Sequence, residues 1–297
     1  MIHVLGSINI DYSCSVDHLP HPGETIVGKS LFTTPGGKGA NQAIAARRAG
    51  SSVTMIGAIG SDEVAEQALT CLTEDGVDIS LVKKLPGPTG CAFVFVDAAS
   101  ENQIVIVQGA NAGVNEAQAR EMTITQGDVL LLQLEVPVST VVAAAAHAHQ
   151  RGATVVANLA PYQQLPPAFF DNIDILLVNE TEGGLLAADL NIDSAGDNLA
   201  ADIAAHIHAT VVLTLGARGV IAANKDQTIA IAGVEINSVD TVGAGDTFAG
   251  YLGAMLERSE TLQRACEVAN IAAALACTKS GAQTAMPLMS ELTVNGV

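Results

Sequence analysis

The residues with the most capacity for chemistry lie in Asp240-Thr241-Val242-Gly243-Ala244-Gly245-Asp246-Thr247-Phe248-Ala249-Gly250. Gly243 and Gly245 allow a tight turn, and Thr247 to Glu257 has helical composition. The amides of Gly243, Ala244 and Gly245 would then point outward at a helix N-terminus and form an anion hole. Asp246 at its mouth reads in two ways. It is a general base that takes a proton from an attacking hydroxyl while the amides stabilise a transferring phosphoryl group, or it is a helix N-cap favoured by the dipole. The segment alone supports both.

A second segment, Pro35-Gly36-Gly37-Lys38-Gly39-Ala40-Asn41-Gln42-Ala43, opens a helix that Gly50 ends. Three glycines around one lysine bring backbone close to a ligand, and Asn41 offers both a donor and an acceptor to a polyhydroxylated molecule. Gly39 directly after Lys38 rules out a Walker A loop, and neither cluster gives Gly-x-Gly-x-x-Gly, which removes the main support for a nicotinamide-dependent dehydrogenase. The pairs His147/His149 and His206/His208 are spaced i, i+2 on helices, so their members point to different faces and make no metal site.

The elements that must position these segments are visible as short apolar runs: Ile2 to Leu5, Thr54 to Ile59, Val129 to Leu132, Thr154 to Ala157, Ile175 to Val178 and Val211 to Leu215. Between them lie helical patterns such as Thr140 to Ala148 and Leu199 to Ile207. Continuous apolar strands alternating with amphipathic helices predict an α/β fold, a three-layer α/β/α core around a mostly parallel sheet. Two segments break the rhythm. Residues 11–34 lack helical period, and 90–107 alternates through Cys91 to Val96, turns at Asp97 to Asn102 and continues as Gln103 to Val107, a β-hairpin pattern. These two segments predict a small β-sheet lid, while 1–10, 35–89 and 108–297 form the core.

The chain has 297 residues, of which 13 are Lys or Arg and 31 Asp or Glu, a net charge of -18. No window carries the basic stripe that a nucleic acid or an anionic membrane needs. A phosphorylated ligand must therefore be held by backbone amides, a metal ion and few cationic side chains. Five scattered cysteines without a Cys-x-x-Cys pair suggest reduced thiols, and no apolar stretch reaches the length of a membrane span or a secretory leader. The expected location is cytoplasmic.

The two glycine segments resemble the two signatures of the ribokinase-like (PfkB) carbohydrate kinase family, in the family's order and separation. The likeness extends over the whole chain through Gly6-Ser-Ile-Asn9-Ile-Asp11, Pro22-Gly-Glu-Thr25, Gln133-Leu-Glu135, Asn158-Leu-Ala-Pro161, Asn179-Glu-Thr-Glu182, Thr214-Leu-Gly216-Ala-Arg-Gly219 and Lys279-Ser-Gly281-Ala-Gln283. Each piece is weak alone; the ordered set is specific.

The resemblance implies ATP-dependent phosphorylation of D-ribose at its 5-hydroxyl, with deoxyribose, another sugar or a nucleoside as the alternative acceptor. By position it implies that Asn9, Asp11, Gly37, Lys38, Asn41 and Glu135 hold the sugar, that Asp246 is the base, and that Gly243, Ala244 and Gly245 form the anion hole. Asn179 and Glu182 would organise Mg²⁺-bound water, and Thr214, Gly216, Gly219, Gly245 and Asn270 would contact the nucleotide. A monovalent cation, K⁺, would sit among Asp240, Val242, Ala276, Lys279, Gly281 and Ala285, mostly on backbone carbonyls. Ala285 departs from the family pattern, which often has a serine there. Local readings stand beside these roles: a capping box for Asn179 and Glu182, a β-turn for Gly216 and Gly219, and a helix cap for Glu135. A lid of exposed strands leaves open edges, so a homodimer through the lid is expected.

Overall fold

The computed structural model describes residues 1–97 and 102–294. Among the described residues thirteen strands form two sheets. The strands are β1 (Ile2–Leu5), β2 (Asn9–Ser15), β3 (Ser30–Gly36), β4 (Val53–Ile59), β5 (Asp78–Lys84), β6 (Gly90–Val96) and β7 (Asn102–Val107). They continue as β8 (Val129–Leu132), β9 (Thr154–Asn158), β10 (Ile175–Asn179), β11 (Thr210–Thr214), β12 (Gly219–Ala223) and β13 (Thr228–Ala232). The helices are α1 (Lys38–Arg48), α2 (Ala65–Ala68), α3 (Thr70–Glu74), α4 (Glu116–Arg120) and α5 (Val138–His149). After these come α6 (Glu180–Asp189), α7 (Leu199–Ile207), α8 (Ala244–Glu257), α9 (Leu262–Ala276) and α10 (Met289–Val294).

The large sheet runs β13-β12-β11-β10-β9-β8-β1-β4-β5, parallel from β11 to β5 and antiparallel across β11, β12 and β13. Its central strands are apolar throughout because alternate residues feed two separate cores. Val4, Met55 and Leu131 pack with α1, α8 and α9, while Leu5, Ile56 and Leu132 pack with α4, α5 and α7. The six apolar runs read from the sequence all fall in this sheet. β5, β12 and β13 lie outside that reading; β5 and β13 are edge strands half open to solvent and lack a continuous apolar signal.

The small sheet has the order β3-β2-β6-β7. Its strands reach Asn9 and Gly36, two residues beyond the 11–34 segment at each end. Strands β6 and β7 pair antiparallel as a hairpin requires, and the expected turn through Asp97 to Asn102 falls on residues 98–101, which lie outside the described residues. Tyr12 stacks on Phe93 with ring centroids 5.4 Å apart. Leu31, Phe32, Ile104, Val105 and Val107 stay exposed. Among the described residues no helix is long and apolar enough to cross a membrane.

What brings the chemistry together is the crossing of α1 and α8. Gly250 lies where a Cβ would stand 2.5 Å from Ala45 Cβ and 2.7 Å from Gln42 O. One turn earlier on α8 is Asp246, beside Asn41 and Gln42. A Gly250→Ala substitution forces the two backbones apart and is expected to destabilise by about 2 kcal/mol. Thermal unfolding checks it: the melting temperature falls by roughly 5 °C, and a fall under ~1 °C would mean the helices separate at no cost.

Candidate active site

Helix α1 begins without a side-chain cap, since Gly37 occupies that position. Its first amides are met by the rest of the fold. Lys38 N donates to Glu135 Oε2 at 3.1 Å, Gly39 N to Ser7 Oγ at 3.3 Å and Ala40 N to Ser7 O at 2.9 Å. Ser7 Oγ in turn donates to Glu135 Oε2 at 2.5 Å. Glu135 is thus the buried acid at the positive end of α1, placed there by the end of β8, and not a cap of α5, whose N-cap is Pro137. The neighbouring strands β1 and β8 lead in opposite directions across the sheet, and their carboxyl ends form the crevice where α/β proteins bind ligands.

Asn9, at the start of β2, is oriented by Asn111. The Asn111 amide accepts from Ile8 N at 3.0 Å and donates to Asn9 Oδ1 at 2.7 Å. Asp11 follows on β2 with Oδ1 buried and unpartnered. Burial, then the carboxylates of Glu135 and Asp246, push its carboxyl up to about 7, and Lys38 pulls the other way. For Lys38 burial works against the charge, but Asp246, Glu135, Glu182 and Asp11 together hold the ammonium above its ordinary range. Glu182 is raised, by burial first. Asn9, Asp11, Gly37, Lys38, Asn41, Glu135 and Asp246 are therefore gathered into one polar cluster at the N-terminus of α1.

Asp246 is 6% exposed. Asn41 Nδ2 donates to its Oδ2 at 2.9 Å, and Gln42 Nε2 to its Oδ1 at 3.0 Å. It is not the N-cap of α8. That position belongs to Gly243 in the left-handed region, φ 77°, a conformation that excludes most side chains. Ala244 N turns back to Thr241 O and Thr247 N to Gly243 O, leaving the amides of Gly245 and Asp246 directed outward. A Cβ added at Gly245 would meet nothing within 4 Å.

That open end faces a groove of about 1080 Å³. Asn179, Thr214, Gly216, Gly219, Gly245 and Asn270 all border it. Gly233 to Ser238, in the loop from β13 to α8, and Cys277, directly after α9, also line it, and no local motif marks them. Asn270 Nδ2 donates to Ala232 O at 2.9 Å, tying α9 to β13. Asn179 and Glu182 form a complete capping box on α6, with Glu182 Oε2 accepting from Asn179 N at 3.0 Å and Asn179 Oδ1 from Glu182 N at 2.8 Å.

Behind the groove, Asp240 accepts from Val242 N at 3.0 Å and from Gly281 N at 2.9 Å, which joins the loop before α8 to the loop after α9. Asp240 N also donates to Cys277 O, and Lys279 N to Ala276 O. Lys279 Nζ pairs outward with Glu291 at 3.0 Å. Ala285 is buried close by and its methyl offers no oxygen. Of the six residues read as a cation site, Asp240 and Val242 lie in the loop before α8, Ala276 ends α9, and Lys279, Gly281 and Ala285 lie in the loop after it; Asp240 joins the two loops. Ser7, Gln42, Gln133, Asn111 and Gln283 have no role in the sequence reading, although all but Asn111 stand inside the motifs.

The chain belongs to the pfkB family of carbohydrate kinases, whose description matches residues 1–289. Among named relatives it is 40% identical to the ribokinase of Haemophilus influenzae over 296 residues, 97% of this chain and 95% of the relative. A deoxyribokinase of Salmonella typhi is 30% identical over 98% of this chain and 96% of the relative. Of solved structures, a Thermotoga maritima ribokinase superposes with TM-score 0.90 at 31% identity, covering 99% of this chain and 98% of that one. An Arabidopsis thaliana ribokinase complexed with ribose and ATP gives TM-score 0.87 at 28% identity, covering 99% and 97%.

The raised Asp11 carboxyl has a signed consequence for stability. Below its ordinary value of 3.8 the group is protonated folded or unfolded, and no penalty exists. As pH rises toward about 7 the unfolded chain ionises first, so folding loses stability, fully so above that value. Asp11→Asn is expected to raise stability at pH 8 by on the order of 2 kcal/mol and by little at pH 4. Urea unfolding at the two pH values measures it; equal gains at both would remove the electrostatic account.

Proposed function

We propose that this chain transfers the γ-phosphoryl group of ATP to the 5-hydroxyl of D-ribose, with Asp246 as the general base. The observation that carries the reading is the position of Asp246. Its carboxylate belongs to the polar cluster of Asp11, Lys38 and Glu135, while the amides of the same helical turn open onto the large groove. A sugar held by the cluster and a nucleotide in the groove meet at that turn. The ribokinase relatives supply the pairing of ribose with ATP.

Asn9, Asp11, Gly37, Lys38, Asn41 and Glu135 hold the hydroxyls, since buried amides and carboxylates left unpaired would penalise sugars lacking them. Asp246 accepts the proton of the 5-hydroxyl as its oxygen bonds to the γ-phosphorus and the bond to ADP breaks. The Ala244 amide is spent on Thr241 O, so the anion hole shifts by one residue from the expected Gly243-Ala244-Gly245: the charge spread over the phosphoryl oxygens is met by the outward amides of Gly245 and Asp246, which the turn at Gly243 and Ala244 presents, and by Lys38. The nucleotide lies against Thr214, Gly216, Gly219 and Asn270. Mg²⁺, retaining water that Asn179 and Glu182 orient, would screen the phosphates; the half-buried charge of Glu182 facing Lys38 suits that role. K⁺ would rest on carbonyls of the Asp240–Val242 and Ala276–Gly281 loops, which Asp240 already bridges. Deoxyribose is the second acceptor, favoured by the Salmonella relative.

The small sheet closes over the sugar and pairs with the same sheet of a second copy. Support comes from its exposed apolar residues Leu31, Phe32 and Ile104 to Val107 on strands whose edges are open. Light scattering at micromolar concentration is expected to give a dimer, and Ile104→Asp a monomer. A monomeric wild type would remove the interface.

ADP release measured across ribose, deoxyribose, fructose and nucleosides is expected to favour ribose, with turnover higher in K⁺ than in its absence. Asp246→Asn is expected to lower kcat roughly 10²- to 10⁴-fold while changing the ribose KM little. ADP release independent of sugar would sink the acceptor assignment. Unchanged turnover in the Asp246→Asn variant would sink the base.

A further inference from the structure

Two chains of buried amides end on the Asp246 carboxylate, one at each oxygen. Gln133 Nε2 donates to Gln42 Oε1 at 2.7 Å, and Gln42 Nε2 donates to Asp246 Oδ1 at 3.0 Å. On the other side Gln283 Nε2 donates to Asn41 Oδ1 at 3.0 Å, and Asn41 Nδ2 donates to Asp246 Oδ2 at 2.9 Å. Gln42 and Gln133 are fully buried, and Gln283 is 3% exposed.

Both chains have a direction. Each amide turns its N–H toward the carboxylate and its carbonyl away from it. The outermost carbonyls, Gln133 Oε1 and Gln283 Oε1, are buried with no hydrogen-bond partner among the described residues. An orphaned buried acceptor costs free energy, so nothing local selects that orientation. Rotating either glutamine would bring carbonyl against carbonyl and, one step further in, carbonyl against a carboxylate. The orphaned atoms at the far ends are thus the consequence of turning both amide donors toward the two oxygens of Asp246.

The outer ends are fixed by packing. Gln133 Oε1 lies on Gly6, where an added Cβ would come within 1.9 Å of it. Gln283 belongs to the segment whose carbonyls, Gln283 O and Met286 O, accept from Arg48 Nη1 at 2.6 and 2.9 Å; Arg48 Nε pairs with Asp75 at 2.8 Å. Two amide donors use two of the roughly four lone-pair directions of a carboxylate and leave the others for a substrate hydroxyl.

We propose that Gln42, backed by Gln133, is a positioning residue that fixes the orientation of the Asp246 carboxylate for proton abstraction, and that Gln283 does the same through Asn41. This rests on Asp246 being the base of the proposed transfer. Gln42 acts on the base and not on the sugar, so its loss falls on kcat. Gln133 acts only through Gln42, so its effect vanishes once Gln42 is gone.

The test uses Gln42→Met, Gln133→Met, Gln283→Met and the double variant Gln42→Met/Gln133→Met in the full-length protein, with ADP release as the assay. Gln42→Met is expected to lower kcat about tenfold with the ribose KM within about threefold, as for loss of a group acting only in the transition state. Gln133→Met and Gln283→Met are expected to lower kcat by roughly threefold each. The double variant should be no slower than Gln42→Met alone. Turnover within twofold of wild type for Gln42→Met, a loss confined to KM, or multiplying losses in the double variant would each overturn the proposal.

A second readout needs no turnover and separates this proposal from the assignment of the reaction. In urea unfolding, Gln42→Met is expected to lower the midpoint in the wild-type background. In the Asp246→Leu background, where Gln42 Nε2 already faces no acceptor and only the Gln133 donor is left unpaired, the same change should cost clearly less. An equal fall in both backgrounds would reduce Gln42 to packing. Absence of ribose turnover in the wild type, with the midpoints behaving as stated, would sink the acceptor and leave the contact standing.

Discussion

The close approach of α1 and α8 at Gly250 is the contact on which the site depends. It sets two helix N-termini side by side at the same end of the sheet, with Asn41 and Gln42 within hydrogen-bond distance of Asp246. A carboxylate removed from water is costly unless its lone pairs find donors, and each of its oxygens finds one on α1. The helix crossing and the burial of the acid are therefore one arrangement: side chains on one helix can satisfy a charge on the other only because no Cβ at position 250 holds them apart.

The two helix N-termini have been treated differently. That of α1 is closed: Glu135 and Ser7 take its first amides, so a carboxylate already neutralises its positive end. That of α8 is open, with a left-handed Gly243 turning the chain and outward amides at Gly245 and Asp246. An incoming anion therefore finds its donors at α8 and not at α1. This also answers how a chain of net charge -18 can handle phosphate. Its local positive character needs only backbone dipoles and one lysine, and Lys38 is held charged by the four carboxylates around it.

Those acids do not sit comfortably together. Asp11, with a buried and unpartnered oxygen, carries the strain of the cluster as a raised carboxyl, while Glu135 and Asp246 are each supplied with donors. An unsatisfied acid at the edge of a pocket is a position where a hydroxyl donor binds well, so stability forgone in the free protein is available to a ligand.

Much of this was legible in the chain itself. The six central strands and the alternating helices follow from apolar period, because a parallel sheet covered on both faces leaves continuous apolar runs. The helix start at Lys38 follows from glycine and its neighbours, and the capping box at Asn179 and Glu182 is local enough to read from spacing; α8 begins at Ala244, three residues before the helical composition that starts at Thr247. Long-range polar pairing was not legible. Gln133 meets Gln42 across 91 residues, Gln42 meets Asp246 across 204 and Gln283 meets Asn41 across 242. A glutamine carries no periodic signature of its partner, and the same residue on a helix is ordinarily solvated. Sequence determined which residues could do chemistry and which elements carry them, since both depend on local composition. Tertiary structure alone decided that Asp246 is a doubly supported carboxylate and not a helix cap, because only the packed crossing of α1 and α8 brings its donors within reach.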